Sequence, residues 1–356
     1  MNKVLMKGNE AMAEGAIRAG CRYYFGYPIT PQNEVPAYFA KRMPEVGGVF
    51  VQAESETASI NMVYGAAAAG ARVMTTTSSP GYSLMQEGVS YLAGSRLPCV
   101  LANVQRGGPG LGNIAASQAD YFQATKGGGH GDYHLIVLAP ASAQEMMDFT
   151  MLAFELSDTY RVPALILSDG IVGQMVEPVE LRDFVEKIPE KPWALTGARG
   201  RKPNVIRSLW LDDEGVPLNN EWLQTTYETI RQKEVRWETF MAEDAEYLVV
   251  AYGSTSRTAK SAILLARQEG IKVGLIRPIT LWPFPYQILS SLSLQVKGIL
   301  VCEMSAGQMV EDVALAVDNT PLYFAGELGG RMFTDIKIQD KIHQMVNGGL
   351  QQWQPR

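Results

Sequence analysis

The chain has 356 residues, of which 46% are hydrophobic and 19% charged, and its formal net charge is −6. That length and apolar content suit two or three domains of ~150 residues each, and a mild acidic balance without a Lys/Arg cluster leaves no electrostatic footprint for nucleic acid or an anionic membrane surface. Cys21, Cys99 and Cys302 are far apart with no CxxC spacing; they read as buried reduced thiols, which excludes a four-cysteine iron–sulfur cluster held by this chain alone.

The opening segment MNKVLMKGNEAMAEGAIRAG has no sustained apolar core and passes into an amphipathic helix. Neither a signal peptide nor a membrane span is expected, and the protein reads as cytoplasmic. Short apolar, β-branched runs at 22–25, 49–52, 72–77, 99–104, 135–138 and 164–167 alternate with helical patterns at 8–19, 31–41, 55–69, 81–93 and 142–156. Such alternation predicts a mostly parallel α/β sheet covered on both faces. Residues 190–243 break the pattern with EKPWALTGARGRKPNV and a polar helical stretch, and a second alternating block opens at Glu246. The division expected is therefore 1–188, a connecting segment 189–243, and a smaller α/β unit 244–356.

Ligands of open parallel sheets bind beyond the carboxyl ends of the strands. Four informative stretches follow candidate strands in turn: GYPITPQNE, AESE, SSPG and QRGGPGLGN. In the first, Pro28 and Pro31 stiffen the backbone around Ile29 and Thr30. Thr30 reads as an N-cap with Pro31 at the first helical position, a geometry equally suited to anion binding. In the second, Ser55 caps a helix and puts Glu56 in its first turn, where a carboxylate either complements the helix dipole, worth ~0.3–1 kcal/mol, or serves a site. Arg106 stands at a strand end beside glycines, either solvated or clamping a carboxylate with two hydrogen bonds.

Other patterns are weaker. Gly110-x-Gly112-x-x-Ala115 is a loose dinucleotide fingerprint that begins too far beyond its strand. His130 and His134 stand four apart, but Gly127, Gly128, Gly129 and Gly131 argue against the helix that would aim both at a metal, and no metal site is expected. There is no GxxxxGK[ST], GxSxG or HExxH.

Taken together, GYPITPQNE, AESETASINMVYGAAAAGA, SSPGYSLM and QRGGPGLG resemble, in order and spacing, the alpha subunit of the thiamine-diphosphate-dependent 2-oxoacid:ferredoxin oxidoreductases, and the likeness spans nearly the whole chain. Within that family it is most similar to the branched-chain type, which acts on 3-methyl-2-oxobutanoate (2-ketoisovalerate), with the 2-oxoglutarate type a near relative. The resemblance implies that residues 1–188 form a pyrimidine-type thiamine-diphosphate-binding domain and residues 244–356 a transketolase C-terminal-like domain. It also implies that Glu56 is the glutamate contacting N1′ of the aminopyrimidine ring, which requires a buried carboxyl able to share a proton near neutral pH. Glu54 is the runner-up. Pro28, Ile29, Thr30, Ser78 and Ser79 would line the cofactor, Thr30 would also line the substrate site, and Arg106 would bind the 2-oxoacid carboxylate. Gln32 and Asn33 replace the small serines frequent in the pyruvate enzymes.

Thiamine enzymes hold Mg²⁺ and the diphosphate with GDG followed some 25–30 residues later by Asn, which brings oxygen ligands from two loops to one hard cation. Here the nearest stretch is LSDG, residues 167–170, and the next Asn is Asn204. The resemblance thus implies a beta subunit carrying diphosphate, Mg²⁺ and an iron–sulfur cluster. A gamma subunit for coenzyme A, a ferredoxin-like delta subunit and external ferredoxin as electron acceptor complete the expected set. The expected reaction is oxidative decarboxylation with acyl transfer to coenzyme A. Its rivals are the 2-oxoglutarate enzyme, a thiamine-dependent dehydrogenase component that uses lipoamide, and a non-catalytic scaffold.

Overall fold

The computed structural model describes residues 3–355. Its strands in chain order are β1 (Lys3–Lys7), β2 (Tyr23–Gly26), β3 (Val49–Gln52), β4 (Val73–Thr77), β5 (Val100–Gln105), β6 (Ile136–Leu138), β7 (Ala164–Asp169), β8 (Val176–Glu180), β9 (Trp237–Phe240), β10 (Tyr247–Val250), β11 (Val273–Pro278), β12 (Thr280–Trp282), β13 (Ile299–Glu303) and β14 (Leu322–Gly326). Seven of them form a sheet in the order β12-β6-β7-β5-β4-β2-β3, parallel except where β12 runs against β6. Five more form the order β14-β13-β10-β11-β9, parallel except for β9. Every residue of β4, β5 and β7 is buried, as expected of central strands covered on both faces. Helices Gly8–Arg18 and Ala143–Tyr160 pack together on one face of the larger sheet, and Cys21, Cys99 and Cys302 are buried free thiols, the first two in the core of the larger sheet and the third in that of the smaller.

All six expected strands of the first block form, with ends shifted by a residue or two. Three readings need correction. The amino terminus does not pass straight into a helix: β1 precedes it and pairs with β8 in antiparallel register, Met6 opposite Glu177. That pairing joins residues some 170 positions apart, so no local pattern announces it. The helix expected from Pro31 begins at Glu34, with Asn33 as its cap and no side-chain cap bond, so Thr30 is not an N-cap. The Pro31 carbonyl instead accepts hydrogen bonds from Asn9 Nδ2 and Gln174 Nε2, both at 2.8 Å, which ties this turn to distant elements rather than to a helix. The helix expected over 81–93 is two helices, Ser79–Leu84 and Gln86–Gly94. The segment read as a connection carries helix Gly215–Lys233 and β9, which joins the smaller sheet, while β12 from the second block edges the larger one.

The two sheets meet at loops that follow strand ends. Gln118 is the junction: its amide donates to the Tyr252 carbonyl at 2.9 Å, and its Oε1 accepts from Thr255 Oγ1 at 2.9 Å and from the Met304 backbone at 3.0 Å. Asp169, at the end of β7, accepts from the backbone of Ile171 and Val172 with one oxygen and from Ser254 with the other. Gly253 has φ +56°, and a Cβ there would lie 2.8 Å from Asp169 Oδ2 and 2.9 Å from Gln118 Nε2. Only glycine combines that conformation with so close an approach.

Candidate active site

The strands β3, β2, β4 and β5 are neighbours, so the four loops singled out in the sequence emerge side by side from one edge of the sheet. Ser55 Oγ accepts from the Ala58 N–H at 3.2 Å, a true N-cap, and this starts helix Glu56–Ala68 with Glu56 pointing inward. Glu56 is 5% exposed, whereas Glu54, two positions earlier, is exposed. The two candidate carboxylates thus differ in burial. A Cβ on Gly81 would lie 2.3 Å from Glu56 Oε1 and 2.1 Å from Thr77 Oγ1. The glycine of SSPG thus leaves the space that the carboxyl fills, which explains the small residue beside it. No described residue donates a hydrogen bond to the Glu56 carboxylate.

Arg106 and Thr30 come together as expected, though through the backbone of Thr30. Arg106 Nη1 donates to the Thr30 carbonyl at 3.0 Å and Nη2 to the Leu111 carbonyl at 3.0 Å, so the guanidinium spans the turn after β2 and the glycine loop after β5. Its Nε is buried without a partner. Thr30 Oγ1 accepts from Asn33 Nδ2 at 3.2 Å. Ile29 is half-buried and Pro28 exposed. Gln32 is fully buried beneath the loop: its Nε2 donates to the Tyr27 carbonyl at 3.4 Å, its Oε1 accepts from Thr76 Oγ1 at 2.6 Å, and Thr76 in turn meets Tyr24 Oη at 2.7 Å. It braces the turn from beneath.

Ser78 and Ser79 differ. Ser78 is fully buried with an unpartnered hydroxyl. Ser79 Oγ is engaged within the chain, donating to Asp120 Oδ2 at 2.6 Å and accepting from the Arg106 N–H at 3.0 Å. Asp120 was not anticipated. It also accepts from Asn103 Nδ2 at 2.8 Å, and burial pushes its carboxyl above the usual range although Ser79 and Asn103 pull it down. In the sequence it stands in SQADY, an ordinary loop ahead of helix Tyr121–Thr125, and only folding brings it to Ser79.

A cleft of about 670 Å³ opens here, lined by Ser79, Arg106, Gly107, Asp120, Met304 and Gln308 among others, so that it lies between the loops of both sheets. A larger cavity of about 800 Å³, around His134, Arg231 and Trp282, is lined by none of the loops that carry Glu56 and Arg106. His134 stacks on Trp282, and the His130 carbonyl accepts from Ser90.

A doubly covered parallel sheet whose strand ends present a buried glutamate, an arginine clamp and a stiff proline turn defines an α/β enzyme subunit of the thiamine-diphosphate-binding type. Residues 14–207 match the family model described as pyruvate flavodoxin/ferredoxin oxidoreductase, thiamine diphosphate-binding, and residues 245–338 match pyruvate:ferredoxin oxidoreductase core domain II. The chain belongs to the 2-oxoacid:ferredoxin oxidoreductase family. It is 51% identical to a ketoisovalerate oxidoreductase subunit VorB of Methanothermobacter marburgensis, over 96% of this chain and 97% of the relative. To a 2-oxoglutarate synthase subunit KorA of Methanocaldococcus jannaschii it is 41% identical, over 88% and 91% of the two chains. Among solved structures, a 2-oxoglutarate:ferredoxin oxidoreductase from Magnetococcus marinus, with 2-oxoglutarate, coenzyme A and succinyl-CoA bound, superposes with a TM-score of 0.87 at 28% identity. That match covers 97% of this chain, which spans 65% of the length of the other. A split-gene transketolase matches at a TM-score of 0.62 and 14% identity, a likeness of fold. No helix among the described residues is long and apolar enough to cross a membrane.

Proposed function

We propose that this chain supplies the aminopyrimidine side of a shared thiamine diphosphate site in a coenzyme-A-acylating 2-oxoacid:ferredoxin oxidoreductase, with 3-methyl-2-oxobutanoate as the preferred substrate. The observation that carries the reading is Glu56, a carboxyl buried against Thr77 and Gly81 with no donor from its own chain. The group fits: the buried Ser78 hydroxyl has no partner, and the Glu56 side chain beside Gly81 is free to meet a ring. Thiamine diphosphate, when bound, supplies the electron sink for decarboxylation. Glu56 would share a proton with the ring nitrogen N1′, in a place where exclusion of water strengthens that contact. Pro28, Ile29, Thr30, Ser78 and Ser79 would line the ring, Ser79 and Arg106 being the two of these site residues that face the cleft, and Arg106, already holding the Thr30 carbonyl, carries the positive charge toward which a 2-oxoacid carboxylate would turn.

Both oxygens of Asp169 are consumed by backbone N–H groups, which supports assigning diphosphate, Mg²⁺ and an iron–sulfur cluster to a beta subunit. Gamma and delta subunits for coenzyme A and electron transfer, external ferredoxin as acceptor and a cytoplasmic setting belong to the same proposal. A division into 1–188 and 244–356 joined by 189–243 belongs to the proposal as well: the two sheets and the two matched segments support two units, although the first match runs on to residue 207, β9 of the joining segment lies in the smaller sheet and β12 edges the larger one. The higher identity to the ketoisovalerate subunit than to the 2-oxoglutarate one supports the branched-chain substrate.

The test is co-expression with the partner subunits and assay of ferredoxin reduction with coenzyme A and each 2-oxoacid. The highest kcat/KM should fall on 3-methyl-2-oxobutanoate; a maximum on 2-oxoglutarate would reassign the substrate, and lipoamide acylation without iron–sulfur would reassign the class. Glu56→Gln should lower kcat ~10²-fold or more with assembly intact, the usual scale of acid–base assistance. Glu54→Gln should leave it unchanged, and the opposite pattern would move the role to Glu54.

A further inference from the structure

At the amino ends of the same strands, away from the candidate active site, a cavity of about 490 Å³ is lined by Arg96, Arg161 and Arg207 together with Trp193, Trp210 and Asn204. Arg96 and Arg106 flank β5 at opposite ends, so the length of that strand, ~20 Å at 3.3 Å per residue, separates the two sites. Arg96 lies over the Trp222 ring and Arg161 over the Trp193 ring, with guanidinium carbons 4.3 Å and 4.5 Å from the centroids. Their Nε atoms are used, Arg96 donating to Asn219 Oδ1 at 2.6 Å and Arg161 to the Arg96 carbonyl at 3.2 Å. Among the described residues no carboxylate pairs with either, and their Nη groups have no acceptor; Arg207 alone of the three has a carboxylate beside it, Asp212 at 3.9 Å.

Two half-buried, like charges without a counter-ion oppose each other. Burial, and then the neighbouring Arg96, push the Arg161 guanidinium down to about 10. The backbone is also held in an uncommon conformation at both positions, φ +54° at Arg96 and +53° at Arg161, two of the three non-glycine residues with positive φ among those described. Each follows a helix end, the place where glycine is usual. Strain of this kind in a non-glycine residue persists where the surroundings over-determine it, and it concentrates at ligand clamps.

The geometry points to a binding site for a phosphate group, free or as the ester of a small molecule, gripped by Arg96 and Arg161 with Arg207 at its mouth. Guanidinium forks match phosphate oxygens two at a time, a dianion would cancel the mutual repulsion, and the volume lies within the ~300–1,000 Å³ range of small-ligand sites. The indole faces of Trp193 and Trp210 would cover the remainder of an ester.

The test uses the full chain, with calorimetry and thermal midpoints in inorganic phosphate, pyrophosphate and adenosine monophosphate, each against sodium chloride of equal ionic strength. At least one of the three should bind at one site and raise the midpoint, and the tightest identifies the source. Arg161→Gly removes the guanidinium at a φ that glycine adopts freely, so it should keep or raise the midpoint in chloride while weakening binding at least tenfold. Arg96→Gln should weaken binding by a similar factor. Equal stabilisation of wild type and both variants, or none beyond chloride, would overturn the assignment. So would loss of binding once the chain is assembled with its partner subunits, which would mean that partner carboxylates occupy the arginines.

Discussion

Gly81→Ala is the sharpest probe of the site because it adds one methyl group at a known place. The new Cβ would start 2.3 Å from Glu56 Oε1 and 2.1 Å from Thr77 Oγ1, where ordinary contact begins at 3.4 Å, so the carboxyl oxygen must retreat by about 1 Å. Overpacking of this kind costs ~1–3 kcal/mol. With an unfolding entropy of ~2.1 cal/mol/K per residue over a chain of this length, the thermal midpoint should fall by about 1–4 °C, leaving the protein folded. Catalysis should suffer more, since a 1 Å misplacement of a reacting group costs ~10²-fold. Gly65→Ala is the matched control: it lies in helix Glu56–Ala68 with nothing within 4 Å of its Cβ, and should stabilise by ~0.5–1 kcal/mol without touching turnover. The assay is steady-state ferredoxin reduction by the assembled complex, alongside differential scanning calorimetry of each variant. A Gly81→Ala complex with wild-type kcat would refute the idea that this glycine exists to seat Glu56.

Arg106→Ala removes a charged partner of the substrate carboxylate and lowers kcat/KM by the equivalent of ~2–5 kcal/mol, and the loss should be equal for long and short 2-oxoacids because the carboxylate is common to all. Arg106→Lys should fare little better, because one ammonium cannot span the Thr30 and Leu111 carbonyls as the planar guanidinium does; kinetics across a substrate series check both. The isolated chain should show no tight Mg²⁺-dependent thiamine diphosphate binding by calorimetry, and sub-micromolar affinity there would remove the case for a shared site. Burial, and then the nearby Arg231 charge, hold His134 down at about 4, against an ordinary value of 6.5. Between pH 6.5 and 4 the unfolded chain therefore binds the proton that the folded chain resists, so stability contributed by neutral His134 is lost as pH falls through that window, by on the order of 3 kcal/mol. Urea unfolding at pH 7 and 4.5 measures it, and His134→Phe, which preserves an aromatic ring against Trp282, should flatten the difference.

Local pattern was enough to write down the six parallel strands and the cap at Ser55, because a buried parallel strand needs a continuous apolar run and a helix start needs a side-chain acceptor. It also placed four loops after four strands. Which of Glu54 and Glu56 is buried is a matter of tertiary structure: the two differ only in which side of a helix start they leave, and burial of the second depends on the absence of a Cβ at Gly81, 25 positions on. The turn at Thr30 escaped a local reading for the same reason. Proline after threonine is the sequence of a helix entrance, yet Asn9 and Gln174 compete for the Pro31 carbonyl from elements that no short window contains. Gln32, noted in the sequence only as standing where small serines are frequent, braces the turn from beneath, since its place is set by the hydroxyl of Thr76 on β4. Asp120 and the arginine pair carry no motif at all; their meaning is distance and charge, and both come into being only when chain segments 40 to 65 residues apart are brought into contact.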